Sequence, residues 1–221
     1  MIELEFEEDD AEEAKTSLTQ RHLFPPGKPS QEQLTKWAAS YGARLAAQAS
    51  AILGEGKGSK AAFADGRQFY QSLLQQQSGA GAVLPPVGAT YGTTIFEQAG
   101  ATVTQLPLDE VRAGDVVLCY AAEFSGRKGG IAPYHLSLGA TGQGPAVAVV
   151  LGEWEADKKR RKIKATTVLP ANSAKKRTSN VNAPSAGAAP EEVSLKLDDL
   201  KSGVIKVVRP VPKEGWIEEW A

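Results

Sequence analysis

Few side chains in this chain are suited to nucleophilic chemistry: one cysteine, Cys119, and two histidines, His22 and His135. A thiol hydrolase needs a cysteine thiolate within hydrogen-bond reach of a histidine that accepts its proton. One hypothesis is therefore that Cys119 and His135 form a dyad for amide or peptide hydrolysis. However, Cys119 lies in an apolar run, where burial would raise the pKa of its thiol. His135 lies at a predicted loop over 129–134, so the pattern favours a core cysteine and a surface histidine.

The composition indicates neither a metal site nor a cofactor site. A single cysteine excludes an intramolecular disulfide framework and cysteine-rich zinc or iron–sulfur sites. The glycine-rich segment 54–60 follows a predicted helix instead of a strand and lacks the spacing of a phosphate-binding loop. Nucleic-acid binding would favour aromatic residues among the basic ones, and few aromatic residues lie there. We therefore predict no cofactor, no metal and no nucleic-acid partner.

Length and charge indicate one large domain with a tail. The chain has 221 residues, 42% of them apolar, with 25 Lys and Arg against 26 Asp and Glu. A chain of this length buries roughly 70% of its unfolded surface, so it needs no disulfides. No apolar run reaches the roughly 20 residues of a membrane helix, and the N-terminus is acidic. These features predict a soluble cytoplasmic protein.

Charge is unevenly distributed along the chain. Residues 1–14 contain eight acids and no base, and residues 158–177 contain nine bases and no acid. The basic run predicts a surface for an acidic partner, and one hypothesis is that the chain's own tail folds back on it. In the tail, Ile2, Leu4 and Phe6 alternate with acids, a strand pattern that could add to a sheet edge. The candidate basic surface comprises Lys158, Lys159, Arg160, Arg161, Lys162 and Lys164.

Helical patterns dominate the first half of the chain. Ser30, with Gln33 three residues later, predicts a capping box, and an apolar stripe follows as far as Ile52. A second helix is predicted over Ala61–Gln77. A short third helix is predicted over Thr93–Ala99, closed by Gly100.

The second half of the chain predicts antiparallel strands. Apolar runs predict strands over 115–121 and 146–151, the latter joined by a hairpin to a basic strand over 159–168. Two last strands are predicted over 193–197 and 204–209. Residues 170–192, which lack periodicity, predict a disordered insertion. Helices followed by antiparallel strands favour an α+β domain over 30–221, after an acidic, proline-containing tail over 1–29.

Two blocks of sequence resemble a known family. They run from Tyr91 to Lys128, including the Gly114-Asp115 turn, and from Leu197 to Arg209. Over roughly 34–212 the chain resembles the cysteine-proteinase-fold domain at the C-terminus of fungal actin-patch adaptors, which also carry an Src-homology-three domain. The resemblance implies a papain-like fold with N-terminal helices packed on an antiparallel, partly barrel-like sheet. It also implies a location at the cortical actin patch and a protein or peptide partner.

The same resemblance locates where catalytic residues would stand. In papain-like cell-wall endopeptidases and amidases, a cysteine opens a helix, a Gly-Asp turn starts the next strand, and a histidine begins the following strand. Carried over by position, the nucleophile would fall at Gly88 to Thr90 and the base at Ala146. Neither position has a suitable side chain.

The resemblance therefore implies a pseudoenzyme that binds a peptide in a degenerate cleft, without inserting into a membrane. Two alternatives stay open: a thiol hydrolase using Cys119 and His135, and a purely structural scaffold domain. The candidate cleft residues are Tyr91, Tyr134, His135 and Trp154.

Overall fold

The computed structural model describes residues 2–5, 17–20, 28–54, 62–76, 83, 86, 90–105, 108–128, 132–139, 144–152, 155–157, 160–169 and 188–212. The predictions for Gly88, Trp154, Lys158 and Lys159, and for most of the 170–192 insertion, lie outside these residues. No helix in the described ranges is long and apolar enough to cross a membrane.

The α-helices and one π-helical segment lie within residues 31–75. They are α1 (Gln31–Trp37), a π-helical segment (Ala38–Gly42), α2 (Ala43–Gly54) and α3 (Gly66–Gln75). The predicted capping box is confirmed: the Ser30 hydroxyl accepts from the Gln33 amide at 3.2 Å, and the Gln33 side chain accepts from the Ser30 amide at 2.8 Å. The second helix begins at Gly66 instead of Ala61 because Asp65 caps it, accepting from the Gln68 amide at 2.8 Å.

The strands, apart from an N-terminal pair, form one antiparallel sheet. They are β1 (Ile2–Glu5), β2 (Ser17–Gln20), β3 (Thr93–Ala99), β4 (Thr102–Gln105), β5 (Val116–Lys128), β6 (Ala132–Leu138), β7 (Ala146–Val150), β8 (Glu155–Asp157), β9 (Arg160–Thr167), β10 (Glu191–Lys196) and β11 (Leu200–Arg209).

The main path of the sheet runs β10-β9-β7-β5-β11-β3-β4, with β6 paired to β5 and β8 paired to β9. Its two ends, β10 and β4, are not paired with each other in the described ranges, so the sheet is open and not closed into a barrel. The α+β prediction is confirmed.

The helix predicted over Thr93–Ala99 is wrong. This segment is β3, which pairs with β11 on one side and with β4 on the other. Its turn at Gly100, with φ of +52°, leads directly into β4. Long-range pairing decides the structure of this short segment, since β11 lies about a hundred residues later in the sequence.

Three other boundaries differ from the predictions. His135 lies within β6 instead of at a loop, because β5 continues to Lys128 and pairs with residues 132–138. The chain is ordered as β10 from Glu191, so the predicted insertion ends earlier than 192. The strand over 146–151 pairs with β9 as predicted, but the intervening β8 forms the tight hairpin with β9.

The tail strand predicted around Ile2 and Leu4 is confirmed as β1. It pairs antiparallel with β2, Leu4 opposite Leu18, in a separate two-stranded sheet. In the described ranges its partner is therefore β2 and not an edge of the main sheet.

The helical layer meets the sheet through closely packed glycines. Gly114 has a φ of +84°, and a Cβ on it would overlap the carbonyl oxygen of Gly42 at the end of the π-helical segment. This contact holds the turn before β5 against the helices. Helices α2 and α3 then pack on β7. The buried cluster between them includes Trp37, Leu45, Phe69, Leu73, Val147 and Val149.

Candidate functional site

The start of α3 lies directly against β7. A Cβ on Gly66 would overlap the Val147 carbonyl oxygen and would lie 2.5 Å from Thr167 Oγ1. The Thr167 hydroxyl itself donates to the Val147 carbonyl at 2.6 Å. Only glycine permits this approach. The first turn of α3 therefore adjoins Ala146, the residue with which β7 begins.

Three side chains with polar ends lie together beside this junction. Arg67, in the first turn of α3, lies beside the side chain of Tyr91. The ring of Tyr91 lies 6.0 Å from the ring of Tyr70, which faces inward from α3. Burial raises the pKa of Tyr91 above its usual value, against the opposing effect of Arg67. Both tyrosines are therefore neutral hydrogen-bonding groups at neutral pH.

Two donors in this group have no acceptor. Arg67 Nε and the Tyr70 hydroxyl are both buried, and neither has a hydrogen-bond partner among the described residues. Gly144 borders the same group, since a Cβ on it would lie 2.5 Å from Arg67 Nη2. Gly144 is exposed, so Arg67 extends from the buried tyrosines to the surface. We call the group formed by Arg67, Tyr70, Tyr91 and Gly144 the Arg67 cleft.

The Gly-Asp turn has a structural role. Arg209, at the end of β11, binds the Asp115 carboxylate through two hydrogen bonds of 2.8 and 2.9 Å. It also donates to the Leu34 carbonyl at 3.0 Å, to the Glu110 carbonyl at 2.8 Å and to the Asp109 carboxylate. All five N–H donors of the guanidinium are thus used.

This network is buried, and Arg112, whose Nε lies 3.4 Å from the Asp109 carboxylate, supplies the second positive charge that balances the two carboxylates. Arg209 and Asp115 are each 1% exposed. Burial alone would lower the pKa of Arg209, but hydrogen bonds to Asp115 and then Asp109 hold it above its usual value. Burial would likewise raise the pKa of Asp109, but Arg209 holds it below its usual value. The charges therefore connect α1 to the sheet and offer nothing to a ligand.

Cys119 and His135 are not brought together. Cys119 is 1% exposed in β5 and lies opposite Ala146 on one side and Ile205 on the other. Burial raises the pKa of its thiol to about 12. His135 is exposed and lies opposite Ser125, six positions further along β5, roughly 20 Å in an extended strand. Cys119 is the core residue that its neighbours predicted.

The predicted cleft residues divide between two places. Tyr91 lies at the Arg67 cleft, whereas Tyr134 is in β6, where its hydroxyl donates to Asp199 at 2.7 Å. Lys196 lies over the Tyr134 ring, 5.4 Å from its centroid. Burial, followed by the Asp199 hydrogen bond, raises the pKa of Tyr134 above its usual value. Tyr91 and Tyr134 thus contact different neighbours, and the single cleft lined by Tyr91, Tyr134, His135 and Trp154 stays a prediction.

Of the positions assigned by resemblance, Thr90 is exposed and Ala146 is half-buried. The backbone of Val147, the residue after Ala146, lies against Gly66 at the start of α3. The apolar pattern of the predicted second helix places Tyr70 on its buried side, but sequence patterns did not indicate Arg67 or Tyr70 as site residues. The one available signal was Asp65, a helix-capping residue followed by glycine.

The candidate basic surface is partly neutralised within the fold. Arg161 pairs with Asp198 at 3.1 Å. In the register of β8 and β9, Glu155 lies opposite Lys162 and Asp157 lies opposite Arg160. On the other side of β9, Lys164 lies opposite Ser194. Acidic residues from the same domain thus accompany the basic strand. In the described ranges, no group of three or more His, Cys, Asp or Glu could hold a metal ion.

Comparison with known proteins adds an independent finding. A family model for the AIM3/BBC1 cysteine proteinase-fold domain matches residues 19–221. An SH3 domain-containing protein of Schizosaccharomyces pombe is 30% identical to this chain over 204 residues. The match covers 91% of this chain and 11% of the relative, so the chain spans about a tenth of the relative's length. No solved structure matches.

Proposed function

The chain belongs to the AIM3/BBC1 cysteine proteinase-fold domain family, and we propose that it is a non-catalytic protein-interaction domain. In this proposal it binds a peptide or protein partner in a protease-like cleft that lacks catalytic residues. The SH3 domain named in the Schizosaccharomyces pombe relative supports an interaction context. The resemblance to fungal actin-patch adaptors extends the proposal to the cortical actin and endocytic machinery in the cytoplasm.

The observation that carries the proposal is the junction of α3 and β7. In the papain-like class a cysteine opens a helix and a histidine begins a strand. Here the helix that packs on β7 opens with Asp65 and Gly66, and the strand begins with Ala146. We therefore assign the degenerate nucleophile position to Asp65–Gly66. The earlier assignment to Gly88–Thr90 relied on a helix over Thr93–Ala99, which is β3.

The cysteine chemistry of the chain supports the same proposal. Cys119 is the one cysteine in the sequence, and it is buried far from His135 along β5. A thiol with a pKa of about 12 has almost no thiolate at neutral pH. No thiol-dependent hydrolysis is expected from this arrangement.

A peptide-display selection on the folded full chain tests the proposal. Random peptides are selected, and the site of each enriched peptide is mapped by hydrogen exchange. We expect protection at the start of α3, around Tyr91 and at the start of β7. We also expect mass spectrometry to find the peptides intact after prolonged incubation.

Three results would contradict the proposal. Cleavage of a peptide, lost in Cys119→Ala, would indicate a thiol hydrolase. The urea-unfolded chain serves as the control target of the selection. If the folded chain enriches no peptide more strongly than this control, a purely structural scaffold is favoured. Protection confined to other surfaces would place the binding site outside the protease-like cleft.

A further inference from the structure

We propose that the Arg67 cleft is a carboxylate-binding subsite, so that the partner presents a carboxylate to Arg67. This inference rests on the proposed function, since it names the chemistry of a ligand for the same cleft. The carboxylate can be a chain terminus or the side chain of Asp or Glu. Either source offers the same two acceptor oxygens.

The first argument is that the charge of Arg67 has no carboxylate partner among the described residues. Its neighbour Tyr91 is a neutral phenol and not a counter-charge. In the described part of the chain, Arg67 forms no ion pair with any carboxylate, unlike Arg112, Arg161 and Arg209. Its Nε is buried without an acceptor. A buried donor on a charged group is costly to leave unpaired, and a carboxylate matches the planar guanidinium best.

The second argument is the Tyr70 hydroxyl, which provides an independent unmet donor. Tyr70 is fully buried, and its hydroxyl has no hydrogen-bond partner within the described part of the chain. Its ring lies 6.0 Å from that of Tyr91, whose side chain contacts Arg67. Tyr70 and Arg67, each with an unpaired donor, are therefore both neighbours of Tyr91. A single acidic ligand brings acceptor oxygens to this location.

The position of Arg67 on α3 adds to its preference for an anion. Helix α3 has ten residues, and Arg67 is in its first turn, where the helix dipole favours negative charge. The nearby Asp65 carboxylate opposes an anion. One of its oxygens is already engaged, since it accepts from the Gln68 amide at 2.8 Å as the helix cap. Arg67 is partly exposed beside the exposed Gly144, which leaves the guanidinium a route to solvent.

Three small peptides test the inference on the full 15N-labelled chain. They are N-acetyl-trialanine with a free carboxylate, the same peptide as its amide, and N-acetyl-Ala-Asp-Ala amide. Each is titrated while the Arg67 Nε–H and backbone amide resonances are followed by NMR. We expect one or both acidic peptides to shift the Arg67 Nε–H saturably, together with the Tyr91 and Ala146 amides. The neutral peptide leaves them in place, and the acidic peptide that binds more tightly identifies the source of the carboxylate.

Substitutions assign the effect to Arg67. Arg67→Gln is expected to weaken binding of the acidic peptide by roughly tenfold to a hundredfold, as loss of a charge-assisted hydrogen bond implies. Arg67→Lys keeps the charge and retains part of the affinity. Arg44→Gln is the matched control, because Arg44 is exposed on α2, over the Tyr41 ring, and its loss leaves binding unchanged. The backbone spectrum of each variant reports whether it is folded.

Failure of this inference is distinguishable from failure of the proposed function. If a folded Arg67→Gln binds the acidic peptide as tightly as the unaltered chain, Arg67 is not the anchor. Equal shifts from the neutral and acidic peptides would reject a carboxylate subsite while leaving peptide binding in the cleft intact. Absence of shifts from all three would also reject it, and the display selection would then decide the proposed function separately.

Discussion

Arg209 and Asp115 show how single residues connect the helices to the sheet. We predict that Asp115→Asn lowers the free energy of unfolding by about 3–5 kcal/mol, because it leaves a buried guanidinium without its principal counter-charge. Urea denaturation, followed by circular dichroism, measures the change.

Arg161→Gln is the matched control for this prediction. It breaks the Arg161–Asp198 pair, whose side chains are 38% and 47% exposed. Exposed pairs contribute less than about 1 kcal/mol, so little change is expected. Equal effects of the two substitutions would show that burial does not set the strength of the Arg209 network.

The burial of a single residue could be predicted from the sequence where its neighbours in the chain are apolar. Cys119 stands between Leu118 and Tyr120 in an apolar run, and the structure confirms it as a core residue. Arg209 was not predictable in this way. Its partners Asp109, Asp115 and Leu34 lie on other segments, and an isolated basic residue at a strand end is ordinarily exposed.

Glycines at two helix positions test the junction of α3 with β7. We predict that Gly66→Ala destabilises the chain by about 1–3 kcal/mol, because its Cβ would overlap the Val147 carbonyl. It should also weaken peptide binding at the Arg67 cleft, since α3 must move away from β7. Thermal denaturation and the acidic-peptide titration measure the two effects.

Gly54→Ala provides the comparison. Nothing lies within 4 Å of a Cβ at Gly54, at the end of α2. Alanine there is expected to be neutral or to stabilise by up to about 1 kcal/mol. If Gly66→Ala, like Gly54→Ala, leaves the free energy of unfolding unchanged or raises it, the close approach of α3 to β7 is not required for stability.

Elements held by local interactions were predictable from sequence, whereas the element fixed only by distant pairing was not. The capping box at Ser30 needs nothing beyond its own turn, and the structure confirms it. The segment Thr93–Ala99 has no comparable local signal, and its partner β11 is remote in sequence.

At the scale of the whole molecule, buried ionisable groups limit stability at high pH. The folded state raises the pKa of Cys119 from 9.0 to about 12 and also raises that of Tyr70. Above the pKa that the Cys119 thiol has in the unfolded chain, the unfolded chain releases a proton that the folded chain keeps. The stability contributed by the protonated thiol is therefore present below about pH 9 and is lost as the pH rises towards the folded value.

We predict that the free energy of unfolding falls by at least about 1 kcal/mol between pH 7 and pH 10. Urea denaturation at both values measures the fall, and Cys119→Ala should reduce it. An identical pH dependence in Cys119→Ala would contradict the assignment to Cys119.

The charge distribution is also a property of the whole molecule. The chain has a net charge of −1, but eight acids lie in residues 1–14. The strand pattern in this tail predicted β1, and the register of β1 with β2 could not be derived because residues between them carry no turn signal. Likewise, charge counting predicted a basic strand but not the acids of β8 that lie opposite it.

The central claim, that this protease-like domain is not a protease, is tested most directly by the alkylation rate of Cys119. The rate in the native chain is measured from pH 5 to pH 9, with the unfolded chain as reference and His135→Ala as control. We predict negligible labelling of the native chain, the same in His135→Ala, with reaction only on unfolding. Rapid labelling below pH 7 that His135→Ala abolishes would reveal an activated thiolate and contradict the account.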